Sequence, residues 1–395
     1  MSNARISTIG KVIRGVSWDK DDATDTPRPD YLPILRAGSI GNDLNTESDL
    51  VWVPSSNVST EQRMRSGDIA ICMSSGSTAV VGKTASAVAD WPGSVGAFCA
   101  IIRANPEKCL PEYLAFFLKS ARFRKWTSEA QGANIKNIKK SALEGFEIWL
   151  PPLPEQRRIV DLLSRTEGIV RLRREAEKKA AELIPALFLD MFGDPATNPK
   201  GWSVATVGSV LDAADYGSSS KATSDGTGLP MIRMGNVTYA GNLDLADLKY
   251  VDLPAAEAER YSLHEGDILF NRTNSKELVG KTGLWDGSRE AIVASYFIRL
   301  RVQREVVSPH YFWAFMNTAH MKRVIFDTAR GAIGQSNINS KELRAFSLPV
   351  PPVPLQQQFA LRCSDVSALL IQQSAATAKA QATFDALLAQ ALAAV

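Results

Sequence analysis

The sequence predicts an α+β protein made of two tandem units, each running into one long helix, with the two helices packing together. Three observations carry this. First, Pro151-Pro152-Leu153-Pro154-Glu155-Gln156 opens a stretch that runs to Phe192. Its apolar or small residues Ile159, Leu163, Thr166, Val170, Ala176, Ala180, Leu183 and Leu187 fall at helical spacing. Second, Pro351-Pro352-Val353-Pro354-Leu355-Gln356 opens the same stretch 200 residues later, followed by Phe359, Cys363, Val366, Leu370, Ala376, Ala380, Phe384 and Leu387. Third, shorter motifs between them recur at offsets of 197 to 203 residues. A tandem duplication accounts for all three. Two unrelated surface helices would not keep their prolines in register with their apolar faces.

Taken in chain order, Thr8-Ile9-Gly10-Lys11-Val12 is answered by Thr206-Val207-Gly208-Ser209-Val210. Pro33-Ile34-Leu35-Arg36-Ala37-Gly38-Ser39-Ile40 is answered by Pro230-Met231-Ile232-Arg233-Met234-Gly235-Asn236-Val237. Gly67-Asp68-Ile69 pairs with Gly266-Asp267-Ile268, and Val81-Gly82-Lys83-Thr84 with Val279-Gly280-Lys281-Thr282. The runs at Ile69 and Ile268 are short, apolar and bounded by turn residues, so they read as strands. Pro111 and Pro309 each open a helix, and the aromatics Tyr113, Phe116, Phe117, Phe123, Phe312 and Phe315 read as core. Gly132-Ala133-Asn134-Ile135 matches the segment 331–338, which carries four extra residues. The predicted divisions are 1–152 and 194–352 for the globular parts, and 153–193 and 353–395 for the helices.

Pro154 suits the first helical position, where a missing N–H is harmless. Pro185 should kink the first long helix or end its regular part. Such a helix is roughly 50 Å long, more than a compact domain needs. It is rich in Arg and Lys, from Arg157 to Lys179. The second long helix has only Arg362, Asp365, Lys379 and Asp385 as charged residues, which suits burial against other protein.

The 395 residues suggest two or three domains, and 45% hydrophobic with 22% charged residues is ordinary for a soluble globular chain. No apolar run is long enough for a membrane helix, and residues 1–5 show no signal-peptide core, so a cytoplasmic protein without membrane contact is expected. Cys72, Cys99, Cys109 and Cys363 form no CxxC pair, which points to free thiols rather than a disulfide framework or zinc site. The net charge of +3 permits nucleic-acid binding through a local patch without requiring it.

Gly82-Lys83-Thr84 and Gly280-Lys281-Thr282 resemble the end of a phosphate-binding loop, but that motif needs a Gly where Ser77 and Ser275 stand. A hairpin whose lysine meets a DNA phosphate fits better. The polar loops after the Gly-Asp strands hold Ser74, Ser75, Arg272, Thr273 and Asn274, and Arg and Asn suit bidentate contacts with guanine and adenine edges. Ser219 and Lys221 lie in a similar loop after Tyr216. Asn134 and Lys136 lie in a basic, amide-rich stretch that also holds Asn137, Lys139 and Lys140. Arg36, Arg233, Asn236, Gln335 and Asn337 complete the candidate DNA contacts, with Lys83 and Lys281. The plainer reading of every such loop is a solvated turn. Nothing catalytic assembles: His264, His310 and His320 are isolated, and there is no nucleophile elbow, Gly-rich dinucleotide turn or Asn-Pro-Pro-aromatic tetrapeptide.

The combination resembles the specificity subunits of type I restriction–modification enzymes over nearly the whole chain. The residues that carry the resemblance are those at 151–156 and 351–356 with their helices, Glu182 to Phe188, Phe192-Gly193-Asp194-Pro195, Tyr216 to Lys221, Pro230 to Val237, Gly266 to Phe270 and Val279-Gly280-Lys281. Leu355-Gln356 departs from the Glu-Gln of the first copy. The resemblance implies that each globular part is a target-recognition domain reading one half of a split, asymmetric site in double-stranded DNA. It implies that the helices form an antiparallel coiled coil that spaces the domains and docks two methyltransferase subunits. It implies no catalysis and no cofactor in this chain: S-adenosylmethionine belongs to the methyltransferase partner, and ATP with magnesium to a separate motor-nuclease (restriction) partner. Two other classes compete. A self-contained DNA methyltransferase or nuclease would transfer methyl groups or cut DNA alone. A non-reading scaffold or decoy of a restriction complex would leave DNA unprotected.

Overall fold

The computed structural model describes residues 2–77, 80–129, 137–332 and 335–393. The chain divides into two units, one of residues 1–174 with 375–395 and one of residues 175–374.

In the first unit, Ser2–Arg5 pairs antiparallel with Glu147–Leu150, which closes the globular part on itself. Four antiparallel strands lie in the order Gly10–Arg14, Cys99–Ala104, Ile69–Cys72, Thr84–Ser86. A second sheet has the order Leu50–Pro54, Tyr31–Leu35, Ser94–Val95, with the last pairing parallel. Successive strand residues point to opposite faces. Thus Ile69, Ile71, Ala100 and Ile102 pack with Tyr113, Phe117 and Phe123 of the helices Pro111–Leu118 and Ala121–Glu129. Ala70, Cys72, Cys99 and Ile101 pack on the other side with Leu35 and Val95. Both faces of the central strand are covered, which is why Ile69 to Cys72 is continuously apolar.

The second unit repeats this plan. Ser203–Thr206 closes on Ser347–Val350. The four-stranded order is Leu211–Tyr216, Phe297–Val302, Ile268–Asn271, Thr282–Leu284, and the second sheet runs Lys249–Val251, Leu229–Ile232, Ile292–Val293. Ile268, Phe270, Ile298 and Leu300 face Tyr311, Phe312 and Phe315, while Leu269 and Phe297 face Ile232, Trp285 and Val293. An additional small sheet joins Thr273–Asn274, Gln335–Asn337 and Arg330–Ala332. The aromatics read as core are buried, and all four cysteines are buried and free.

The recurring motifs have structural causes. Gly67 and Gly266 sit at φ +84° and +88°, a region unfavourable for residues with a Cβ. The carboxylate of Asp68 accepts from Arg103 at 2.6 and 2.8 Å and from the backbone N–H of Arg65 at 2.8 Å. Asp267 accepts from Arg301 Nε at 2.8 Å and from the N–H of His264 at 3.0 Å. Hydrogen bonding to these carboxylates raises the pKa of both guanidinium groups. Gly82 and Gly280 turn the following hairpin at φ +84° and +82°. A Cβ there would meet Thr127 at 2.7 Å and Ile325 at 2.4 Å. The Gly-Lys-Thr motif is therefore a hairpin turn, as its missing upstream glycine implies.

The first long helix runs Leu153–Ala181, breaks at Glu182 and resumes as Leu183–Phe192. Pro185 has no N–H and its ring crowds the carbonyl four residues back, which places the break. Its first part buries Ile159, Leu163 and Val170 as predicted, but its second part buries Ile184, Phe188, Met191 and Phe192 rather than the predicted Leu183 and Leu187, because Ile184 and Phe188 are the residues that continue the 3.6-residue period from Ile159. The last helix, Val353–Leu392, is unbroken. It buries Phe359 and Cys363 near its start and Phe384, Leu388 and Leu392 near its end, with Leu387 only partly covered. Its start packs in the core of the second unit and its end in the core of the first, so one straight stripe is not required.

A glutamine anchors the start of each helix. Gln156 and Gln356 are both 0% exposed. Gln156 Oε1 accepts from the N–H of Leu110 at 2.8 Å, and its Nε2 donates to the carbonyls of Lys108 at 3.1 Å and Pro151 at 2.8 Å. Gln356 makes the matching bonds to Ser308, Val306 and Pro351 at 2.8, 3.1 and 2.8 Å. Next to each clamp a buried tyrosine hydroxyl donates to the closing strand, Tyr113 to the Trp149 carbonyl and Tyr311 to the Pro349 carbonyl. Gln156→Ala strands three buried backbone groups, each worth about 1–3 kcal/mol. We expect a loss of about 3–5 kcal/mol in denaturant unfolding of the full chain, against little change for the exposed Lys83→Ala.

Candidate nucleic-acid interface

In the second unit the strand Ile268–Asn271 ends in Arg272, Thr273 and Asn274, and the structure brings them together with Asn337 and Gln335. Thr273 pairs with Asn337, and Asn274 with Ser336, in the small sheet. The Arg272 guanidinium lies 4.7 Å over the Tyr216 ring and its Nη2 donates to Asn337 Oδ1 at 3.3 Å. Its Nε is buried without a hydrogen-bond partner. Asn337 Nδ2 in turn donates to Thr273 Oγ1 at 3.2 Å. Beneath them the fully buried Asn271 donates to the carbonyls of Thr273 and Tyr296 and accepts from Asn274 Nδ2 at 2.8 Å. A guanidinium stacked on a ring and steered by an amide is held in few orientations, which suits planar recognition of a base edge. Gln335 is exposed at the end of the same strand.

The first unit builds a plainer counterpart. Ser74 pairs with Asn137 in an isolated bridge, and Ser75 Oγ accepts from the N–H of Ser77 at 3.2 Å. Asn134 and Lys136 lie outside the described residues. Lys83, Ser219 and Lys221 are exposed. Arg36 is also exposed and spans Asp25 and Asp49 at 3.5 and 3.4 Å, both weak surface pairs.

Two candidates need correction. Lys281 is only 8% exposed, its Nζ bonds the Met234 carbonyl, and burial lowers its pKa. It ties the hairpin to the neighbouring loop and, unlike the exposed Lys83, has no ammonium free for a phosphate. The hairpin is the same in both units, but a loop folds over the second one. Asn236 is also buried. Its Oδ1 accepts from the N–H of Arg233 and its Nδ2 donates to the carbonyls of Asp244 and Asp247, all at 2.9 Å. It shapes a loop and has no free edge for a base. Arg233 is half-buried and pairs with Asp247 at 3.5 Å.

The sequence reading missed a nearby basic residue, Lys322, on the helix Ala319–Thr328. Its Nζ lies 4.7 Å from the ring centre of Tyr239, and burial, with Lys281 close by, pushes its pKa down to about 8. Asn271, the first residue of the polar stretch that the sequence marks here, closes the apolar strand and is buried beneath the loop. Among the described residues no group of His, Cys, Asp and Glu could hold a metal ion. Among the described residues no helix is long and apolar enough to cross a membrane.

Arg272→Ala should lower discrimination between specific and random duplexes by about 1–3 kcal/mol, read by competition binding. Lys281→Ala should instead lower the unfolding midpoint. Equal losses on both duplexes for Arg272→Ala would count against base reading.

Comparison with known proteins matches this geometry to one family. The model for the type I restriction modification DNA specificity domain matches residues 2–182 and again 199–380. The chain is 32% identical to the EcoKI specificity subunit of Escherichia coli K12, across 92% of this chain and 82% of that one. It is 30% identical to the StySPI specificity subunit of Salmonella potsdam, across 93% and 82%. Among solved structures, a chain from a study of type I restriction–modification complex assembly and conformational transition aligns with a TM-score of 0.58 and 19% identity, covering 99% of this chain and 97% of that one. The type I S subunit from M. genitalium aligns with a TM-score of 0.51 and 14% identity, covering 100% and 96%. Those two likenesses concern the fold.

Proposed function

This chain belongs to the type I restriction–modification DNA specificity family, and from that premise we propose that each of its two units reads one half of a split, asymmetric site in double-stranded DNA. The observation that carries this reading is one scaffold built twice with different side chains at the same loop. Met73, Ser74 and Ser75 stand in one unit where Arg272, Thr273 and Asn274 stand in the other. Matched frames with unlike hydrogen-bonding groups select unlike base sequences.

The two long helices pair as an antiparallel coiled coil and set the number of unread bases between the half-sites. In support, each unit's core takes the start of one helix and the end of the other: Ile159 and Leu163 with Phe384 and Leu388, and Phe359 and Cys363 with Ile184 and Phe188. Arg174 Nη2 also donates to Gln381 Oε1 at 2.8 Å. The exposed apolar residues Ile169, Leu172, Leu361 and Ile371 on the helices suit docking of two methyltransferase subunits. S-adenosylmethionine belongs to those subunits, ATP with magnesium to a restriction-translocase subunit, and the chain itself catalyses nothing. It works in the cytoplasm, without membrane contact.

The deciding experiment maps methylated adenines across the genome with and without this gene. A split motif that disappears with the gene is expected; an unchanged methylome refutes the reading. Exchanging residues 1–150 for those of a relative should change one half-site and leave the other intact, read by the same mapping. Inserting four residues in the first long helix, about one turn or ~6 Å, should widen the unread gap by one or two base pairs at ~3.4 Å each. An unchanged gap, or altered half-sites, would deny the helix its role as spacer.

A further inference from the structure

Phe98 is 69% exposed and Tyr296 is 41% exposed, and they occupy the same position in the two units. Each is the third residue of a tight turn, closed by Cys99 N–H on the Gly96 carbonyl at 2.8 Å and by Phe297 N–H on the Ala294 carbonyl at 3.0 Å. The backbone of each turn is tied to the reading loop. The Phe98 carbonyl accepts from the N–H of Met73 and of Ser74 at 2.8 and 3.0 Å. The Tyr296 carbonyl accepts from the N–H of Arg272 at 2.9 Å and from Asn271 Nδ2 at 3.2 Å. A single exposed aromatic is unremarkable on a protein surface. Two at equivalent positions, each hydrogen-bonded to the loop that carries the candidate base contacts, indicate a shared task.

We propose that Phe98 and Tyr296 are apolar base readers, one per half-site, and that Phe98 packs against a thymine methyl in the major groove. The proposal rests on the DNA-reading function above and adds a residue and a chemical group to it. A phenyl ring has no hydrogen-bonding group. The only apolar group that an unmodified base pair presents in the major groove is the C5-methyl of thymine. The turn ties the Phe98 backbone to that of Ser74 and leaves the ring exposed, so hydrogen-bond and apolar readout belong to one loop cluster. Tyr296 offers the same ring with a hydroxyl added.

The test uses the chain assembled with the methyltransferase subunits of its own system. Methylome mapping of the wild type first defines the two half-sites. Duplexes then carry deoxyuridine in place of each thymine of the first half-site in turn, which removes one methyl group at a time. One substitution should weaken wild-type binding about fourfold, the value of one buried methyl-sized group. Phe98→Ala should weaken binding to the thymine duplex by at least as much and show no further loss on the deoxyuridine duplex. Phe98→Leu should keep part of the effect, and substitutions in the second half-site should act equally on wild type and Phe98→Ala. The proposal is overturned if no deoxyuridine affects the wild type, if the losses in Phe98→Ala and deoxyuridine simply add, or if Phe98→Ala fails to assemble with the methyltransferase. A wild type that yields no split motif would refute the DNA-reading function itself.

Discussion

Each unit depends on one buried amide. A long helix leaving a globular domain swings freely unless its first turn is fixed, because the first four N–H groups of a helix have no partner within it. The prolines at 152 and 154, and at 352 and 354, remove two donors that would need partners. Gln156 and Gln356 then use both ends of their side chains at once: oxygen to the N–H before the Pro111 or Pro309 helix, nitrogen to two carbonyls. A carboxylate would supply the acceptor but neither donor, and a leucine none of the three. Helix direction, the Pro111 helix and the closing strand are thus fixed by one side chain. The angle at which each helix leaves its domain follows from that clamp.

The candidate reading surface depends on a second buried constraint. Asp68 and Asp267 hold an arginine from the neighbouring strand and close the turn that precedes the central strand. A buried carboxylate is costly unless fully bonded, and here each accepts from a guanidinium and a backbone N–H. The strand that follows is buried on both faces, and a slip by one residue would pull Asp68 or Asp267 away from its arginine. Its last residues therefore emerge at a fixed point, so Met73 and Arg272 can differ without moving the frame. Variation in the loop is separated from the energetics of the fold.

This separation explains how much was legible in the sequence. The duplication, both helices, the proline break and the aromatic core were readable because they rest on spacing and on residues with one dominant behaviour. The hairpin at Gly82 and Gly280 was readable by elimination. The fate of its lysine was not: Lys83 and Lys281 share a local motif, and only a loop distant in sequence covers the second. Asn236 misled for a related reason, since an amide serves a loop's carbonyls as readily as it serves a base. The stripe after Glu182 was misread because Leu183 to Phe192 is apolar at nearly every position, so composition does not mark the buried face, which the 3.6-residue period from Ile159 places at Ile184 and Phe188. Phe98 and Tyr296 were legible in principle, as aromatics at matching positions in otherwise small-residue turns, but an aromatic before a strand reads first as core.

The two reading surfaces also differ in how much of their order is prepared in advance. Around Arg272 the side chains already bond one another: Arg272 to Asn337, Asn337 to Thr273, Asn274 to Asn271, with Tyr216 under the guanidinium. Most of the rotamer entropy that binding would otherwise cost has been lost on folding. Ser74 and Ser75 have short side chains with little rotamer entropy to lose, but each hydroxyl makes fewer and less directional bonds than a guanidinium. Two routes to low ordering cost thus sit on one scaffold, a braced network of long side chains and a pair of short ones. The second leaves more of its discrimination to neighbouring groups, and in that unit Phe98 presents an exposed ring next to the loop.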